Sequence, residues 1–216
     1  MTSFNKYGLH ENLIKSIKSL KFKTPTLIQD KVIPEILSSK IDLIATAQTG
    51  TGKTAAFGLP LIHLTNNNNK SIEAIILAPT RELCIQITKD LNKYSEYIND
   101  YKVASIYGGT RVDIQIKSLK ENPKIIVCTP GRLNDLINRK KIKLNHVKYF
   151  VLDEADEMLS MGFKKEIDTI LKNVPENRNI YLFSATISKK VEQVTKAYMK
   201  NPTEISTTVK NSTPSN

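Results

Sequence analysis

The 216-residue chain has no run of about 18 or more apolar residues, and its first residues lack the basic-then-apolar order of a signal peptide. Neither a membrane-spanning helix nor secretion is therefore expected, and the expected location is the cytoplasm. Cysteine is scarce: Cys84 and Cys128 both lie inside apolar segments, and no C-x-x-C spacing occurs. The three histidines, His10, His63 and His146, stand far apart in the sequence. Together these scarcities argue against a disulfide framework or a zinc site and for a reducing compartment. What is plentiful is lysine, and the formal charge is +11 with a pI near 9.5. Such a balance suits a polyanionic partner such as nucleic acid. It also follows from a lysine-, asparagine- and isoleucine-rich composition alone, and the charge leaves both readings open.

A hydrophobic fraction of 40% over this length supports one well-buried core. The most informative stretch is Ala47 to Thr54, AQTGTGKT, placed between the apolar run Leu43 to Ala45 and a predicted helix from Lys53 to His63. At a strand-to-helix turn, glycines let backbone N–H groups curl around a polyphosphate, the helix N-terminus adds its positive dipole end, and a lysine reaches the outer phosphates. Gly50, Gly52 and Lys53 supply these parts, with the Thr54 hydroxyl placed to hold Mg²⁺. The strict pattern asks for glycine where this chain has Ala47, so the loop is a variant.

Upstream, Leu13, Ile14, Ile17 and Leu20 define one face of an opening helix. Pro25 biases Thr24 away from helix, Thr26 is a predicted N-cap, and Pro34 is expected to shorten or kink the helix that follows. Downstream, predicted strands at Ala74 to Leu77, Val103 to Ile106, Ile125 to Cys128, Tyr149 to Leu152 and Ile180 to Phe183 alternate with segments of helical spacing. The fold class is α/β: a mostly parallel sheet covered by helices on both faces, with ligand-binding loops at the carboxyl ends of the strands. The run Asn66 to Asn69 reads as a surface loop and Arg139 to Lys143 as a solvated turn.

Polar signatures stand at those strand exits: Pro79-Thr80-Arg81, Gly108-Gly109, Thr129-Pro130-Gly131-Arg132, Asp153-Glu154-Ala155-Asp156 and Ser184-Ala185-Thr186. A hydrophobic strand ending in Asp153 and Glu154 offers one carboxylate to the metal sphere and a second to orient or deprotonate water. The alternative is that Glu154 and Asp156 are helix N-terminal acids stabilised by the dipole. The threonines, arginines and free N–H groups of the Pro79 and Thr129 turns, with Gly108 and Gly109 permitting close approach, form a candidate track for nucleic-acid phosphates. Helix capping explains any one of them singly.

AQTGTGKT, PTREL, GG, TPGR, DEAD and SAT occur in this order, and with them the chain resembles the first RecA-like domain of DEAD-box ATP-dependent RNA helicases from about Phe4 to Thr207. The resemblance implies a nucleotide site of Phe22, Thr24, Gln29, Gln48, Thr49, Gly50, Thr51, Gly52, Lys53 and Thr54. In it Phe22 stacks on adenine, Gln29 bonds its edge, and Phe4 is the more distant upstream aromatic. It further implies ATP and Mg²⁺ as cofactors, with Thr54 and Asp153 at the metal. Lys53, Asp153 and Glu154 are the implied catalytic groups, Ser184 and Thr186 the coupling pair. Pro79, Thr80, Arg81, Gly108, Gly109, Thr129, Pro130, Gly131 and Arg132 are the implied RNA-binding set. Lys21 stands where the family usually has glycine.

The resemblance divides the chain into an N-terminal helix and adenine-recognition segment (1–30), an ATP-binding domain (31–207) and a linker or frayed tail (208–216). Family members carry a second RecA-like domain with an H-R-x-G-R segment, whereas the five arginines here, at 81, 111, 132, 139 and 178, form no such pattern. The expectation is a monomeric N-terminal half of a longer helicase, poorly active alone, that works on single-stranded or locally duplex RNA. Two rival readings are a DNA-directed helicase of the same superfamily and a single-domain RNA-binding adaptor that has lost catalysis.

Overall fold

The computed structural model describes residues 3–38 and 41–207; the expected tail at 208–216 lies outside the described residues. In chain order the strands are β1 (Leu43–Thr46), β2 (Ala74–Leu77), β3 (Val103–Ile106), β4 (Ile125–Cys128), β5 (Tyr149–Leu152), β6 (Asn179–Ser184) and β7 (Thr203–Ser206). A short 3₁₀ turn (Ser3–Tyr7) and two helices, α1 (Glu11–Ser19) and α2 (Leu27–Ser38), precede β1. The connections carry α3 (Lys53–Thr65), α4 (Arg81–Tyr94), α5 (Val112–Leu119), α6 (Pro130–Asn138), α7 (Ala155–Ser160), α8 (Lys164–Lys172) and α9 (Lys189–Tyr198). Helix α2 runs through Pro34 to Ser38 instead of stopping short of it.

The strands form one sheet in the order β3-β4-β2-β5-β6-β1-β7, and every described pairing is parallel. Alternate side chains on a strand point to opposite faces, so a strand covered on both sides must be apolar throughout. In β2, Ala74 and Ile76 join the core beneath α1 to α4, whereas Ile75 and Leu77 join the core beneath α6 to α9. Gly58 of α3 allows a close approach to α4, since a Cβ there would stand 2.5 Å from a methyl of Leu91.

The sheet order sorts the signatures. β1, β6 and β5 are neighbours, which brings the phosphate loop, the Ser184 turn and Asp153 side by side. β3, β4 and β2 are neighbours, which gathers the Gly108, Thr129 and Pro79 turns on the other half of the same edge. With strands about 4.8 Å apart, the phosphate loop and Asp153 are separated by about 10 Å at their strand exits, a span a lysine side chain can bridge.

Two contacts depart from the sequence reading. His10 and His63, far apart in sequence, meet in space: the His10 backbone N–H donates to His63 Nδ1 at 3.2 Å and the rings lie 4.3 Å apart. Burial, with His10 adding to it, holds the His63 pKa below the ordinary imidazole value. The asparagine loop is exposed, yet the Lys124 ammonium is anchored in it by the carbonyls of Asn67 and Asn69 and the side chain of Asn67. Beside it Glu73, 0% exposed, accepts from Lys148 at 2.7 Å and from Asn69 at 3.1 Å.

Burial pushes the Glu73 carboxyl up, but the bonds from Lys148, Asn67 and Asn69 outweigh it and hold its pKa below the usual carboxylate range. A depressed folded pKa contributes stability that is complete above the unfolded value of 4.5 and disappears as pH falls through the folded value. Glu73→Gln should therefore flatten the acid limb of a stability–pH profile below about pH 4.5. Glu73→Ala, which takes the countercharge from Lys148 and from the buried Lys124 ammonium 4.0 Å away, should cost roughly 3 kcal/mol in urea denaturation at neutral pH.

Candidate active site

The phosphate loop begins where β1 ends. Ala47 N–H donates to the Ser184 carbonyl at 3.1 Å, extending the β1–β6 ladder one residue past the strand. Ala47 is buried and is not among the positive-φ residues, so alanine serves where the strict pattern has glycine. The turn itself is made by Gly50 (φ 78°) and Gly52 (φ 94°), in a region that β-carbons disfavour. At Gly52 a Cβ would also collide with the Gln29 amide. Thr51 Oγ1 closes the loop by donating to the Gln48 carbonyl at 2.8 Å.

Lys53, at the first position of α3, is only 7% exposed, and its ammonium lies 3.4 Å from the Ala47 carbonyl. Asp153 is 3% exposed. Burial pushes its pKa up to about 6; the Lys53 charge opposes this, and the nearby Glu154 and Asp156 carboxylates add to it. One Asp153 oxygen accepts the Glu154 backbone N–H at 3.1 Å. Glu154 holds a left-handed backbone conformation, φ 51°, unusual for a residue with a β-carbon and typical of functional turns. Among the described residues no three His, Cys, Asp or Glu side chains gather into a metal-holding cluster. A buried carboxylate that its surroundings do not fully neutralise, lining one cleft with Thr54, nevertheless fits Mg²⁺. That ion takes oxygen donors, usually one or two carboxylates completed by substrate phosphates and water.

The cleft of about 360 Å³ at this end is lined by Phe22 and Gln29, by Thr49, Gly50, Gly52, Lys53 and Thr54, and by Asp153 and Glu154. Thr24, Gln48 and Thr51 do not line it. A larger hollow of about 630 Å³ between α4 and β3 carries no glycine turn and no signature carboxylate, so size alone does not locate the chemistry.

The segment that brings Phe22 to the cleft is fixed by a helix end. Lys21 N–H donates to the Lys18 carbonyl and Phe22 N–H to the Ile17 carbonyl, the paired bonds of a Schellman motif with Lys21 in the left-handed position, φ 59°. Glycine would adopt this conformation freely, and the turn sets Phe22 at the cleft. Phe4 is 0% exposed and stands behind Phe22, ring centroids 6.3 Å apart, as packing support. Gln29 is fully engaged: its oxygen accepts the Thr26 N–H at 2.9 Å and its amide donates to the Gly52 carbonyl at 3.1 Å.

This arrangement coincides with a known family. The DEAD/DEAH box helicase model matches residues 26–194. The chain belongs to the DEAD/DEAH box helicase family. It is 50% identical to the ATP-dependent RNA helicase CshA of Listeria monocytogenes over 202 residues, covering 94% of this chain and 38% of that protein. With the DEAD-box ATP-dependent RNA helicase CshA of Geobacillus kaustophilus it shares 46%, covering 94% of this chain and 43% of that protein. The chain thus spans less than half the length of these relatives. A crystal structure of a DEAD box protein from the hyperthermophile Methanococcus jannaschii superposes with a TM-score of 0.91 at 45% identity, covering 96% of this chain and 56% of that one. A hypothetical ATP-dependent RNA helicase from Sulfolobus tokodaii superposes with a TM-score of 0.84 at 36% identity, covering 92% and 57%. The seven-stranded parallel sheet is the RecA-like fold of DEAD-box domains.

Within the DEAD sequence, Asp156 is tied to the turn after β6. Thr186 donates to a single Asp156 oxygen twice, from its backbone N–H at 2.9 Å and its hydroxyl at 2.8 Å. Ser184, buried at the end of β6, donates to the Thr186 carbonyl at 2.7 Å. Burial raises the Asp156 pKa, but the bonds from Thr186 and Ser184 hold it below the ordinary value.

The opposite half of the edge presents Arg81, exposed, with its guanidinium 5.1 Å from the Tyr107 ring centroid, and Gly109 against it. Thr80 caps α4 by accepting the Leu83 N–H, whereas Thr129 caps α6 without using its hydroxyl. Pro79 and Pro130 are buried; Gly108 and Gly131 are exposed. Arg132 behaves differently from Arg81: it donates twice to the Thr110 carbonyl and once to Gln115, which in turn donates to the Tyr107 carbonyl. Its fork shapes the Gly108-Gly109 turn from beneath. Sequence reasoning missed Gln115, although its place among Val112, Ile116 and Leu119 on one helical face marks it as an inward-facing amide. Cys84 and Cys128 are both buried, and burial pushes the Cys84 thiol up to about 12, so neither is a reactive thiol.

Because Lys21 bears a left-handed backbone that glycine adopts freely, Lys21→Gly should raise stability by roughly 0.5 to 1 kcal/mol. Thermal or urea denaturation measures the gain, and nucleotide affinity should stay within twofold of the parent.

Proposed function

We propose that the chain is the ATP-binding half of an ATP-dependent RNA helicase that couples ATP hydrolysis to local remodelling of RNA duplexes in the cytoplasm. The observation that carries this reading is the adjacency of β1, β6 and β5, which unites Lys53, the Ser184–Thr186 turn and Asp153 at one edge. Residues 1–30 bring the base-recognition segment and 31–207 the catalytic domain.

Phe22 stacks on the base and Gln29 reads its edge, exchanging its present bonds for those to adenine. The loop N–H groups and the Lys53 ammonium neutralise the outer phosphates. Thr54 and Asp153 hold Mg²⁺, which when bound draws negative charge from the phosphoryl oxygens. Glu154 orients a water and accepts its proton as the water oxygen bonds to the terminal phosphorus and the bridging oxygen departs with ADP. Arg81, Gly108, Gly109, Thr129 and Gly131 meet RNA phosphates, while Arg132 holds the loop that meets them. Such contacts position a strand without reading its sequence. A second RecA-like domain supplies arginines to the terminal phosphate, and monomeric two-domain closure links ATP to RNA through Thr186 and Asp156.

The 216-residue chain should bind ATP in preference to GTP and lose that binding in Lys53→Ala. Its turnover should lie on the order of 10³ to 10⁵ below that of a two-domain form, as expected when an arginine finger is absent. Robust RNA-stimulated hydrolysis by this chain alone would overturn the need for a second domain; equal stimulation of the two-domain form by DNA would overturn the choice of RNA. In that two-domain form Thr186→Val should leave ATP affinity within about threefold and abolish most of the RNA stimulation, as read by phosphate release with and without single-stranded RNA.

A further inference from the structure

The nucleotide cleft has one wall of which only Leu83, the end of PTREL, belongs to a signature. Helix α4 contributes Leu83, Gln86, Asp90 and Tyr94, spaced by three, four and four residues and hence aligned on a single helical face. Over eleven residues this stripe extends about 16 Å along the cleft. Tyr94 marks its base end, because its ring meets that of Phe22 edge-on with centroids 6.1 Å apart. Asp90 stands one turn before Tyr94 on the same helix and lines the cleft together with Gly50 and Gly52 of the loop.

These polar groups have little to do within the protein. The Asp90 side chain is 28% exposed, and its ion pair, with Lys93, spans 3.8 Å, beyond hydrogen-bond length. Burial raises the Asp90 pKa while Lys93 and Lys89 oppose it, as for a carboxylate short of partners. Tyr94 itself is 6% exposed, its ring packed edge-on against Phe22. Polar groups held in a cleft without protein partners are costly unless a ligand or water satisfies them.

The chemistry of a nucleoside triphosphate narrows the choice of ligand atoms. A carboxylate repels the phosphates, which the lysine and loop already hold. Set against the base edge, it would favour guanine, whose adjacent ring N–H and amino group are both donors. The vicinal 2′ and 3′ hydroxyls of ribose are a pair of donors that one carboxylate can accept together, and they lie between base and phosphates, in the cleft that Asp90 lines along with Phe22 and the loop glycines. We propose that Asp90, supported by the Tyr94 hydroxyl, binds the ribose hydroxyls and makes this site selective for ribonucleoside over deoxyribonucleoside triphosphates. The assignment rests on the ATP site proposed above and adds a sugar-reading residue to it.

Calorimetric affinities of the chain for ATP, 2′-deoxy-ATP, 3′-deoxy-ATP and GTP test it, with Asp90→Ala, Tyr94→Phe and Lys53→Ala as variants. The parent should prefer ATP over either deoxy analogue by about 10-fold or more, the scale of a hydrogen bond to a charged group. Asp90→Ala should bind all three adenosine nucleotides alike, at the affinity the parent shows for the deoxy forms, with Tyr94→Phe falling between. Equal affinities in the parent, an equal loss for all three in Asp90→Ala, or a change only in the ATP to GTP ratio would each overturn the ribose assignment. Failure of the parent to bind ATP more tightly than Lys53→Ala would instead overturn the ATP site itself.

Discussion

The bond from Ala47 N–H to the Ser184 carbonyl is the last rung between β1 and β6, and the geometry of the Lys53–Asp153 edge depends on it. It carries the parallel ladder one residue past the strand, so the phosphate loop leaves the sheet from a fixed point beside the Ser184 turn. On the far side of β6, Asp153 N–H continues β5 in the same way by donating to the Leu77 carbonyl of β2. Rigid strand ends thus set the spacing between loop and carboxylate, and the mobile side chains only complete it. A parallel sheet buried on both faces suits this purpose, because a shift of one residue would expose a whole face of each strand.

Charge is treated oppositely at the two ends of the sheet. At the carboxyl ends, Lys53 and Asp153 are buried with few partners, and the Asp153 pKa stands well above the ordinary carboxylate value. At the amino ends, Glu73 and Lys124 are buried with their bonds satisfied by Lys148 and the asparagine loop. Incomplete compensation suits the charged ligand proposed for the first edge, and full compensation suits an edge that only closes the core.

Much of this was legible in the sequence. The strand cores at Ala74, Val103, Ile125 and Tyr149 match their predicted bounds because short apolar runs between turns leave little choice. The phosphate loop and the acidic tip of β5 were legible because each needs particular residues at fixed spacing. The order of strands was not, since every parallel crossover is locally alike, and it is this order that separates the Lys53–Asp153 half of the edge from the Arg81–Gly109 half. The encounter of His10 with His63 and the use of Arg132 to hold Thr110 depend on contacts over 53 and 22 residues, which leave no local mark. The α4 wall was hidden for another reason: Gln86, Asp90 and Tyr94 have the same spacing as any solvated helix face.

Thr186 gives both of its donors to one oxygen of Asp156. A single acceptor gripping main chain and side chain together works as a latch with two prongs. The turn cannot slide by a fraction and keep one bond in good geometry while giving up the other, so small displacements are resisted and a large one releases both. Any displacement between the end of β6 and the head of α7 is therefore passed on as a step and not as a slope.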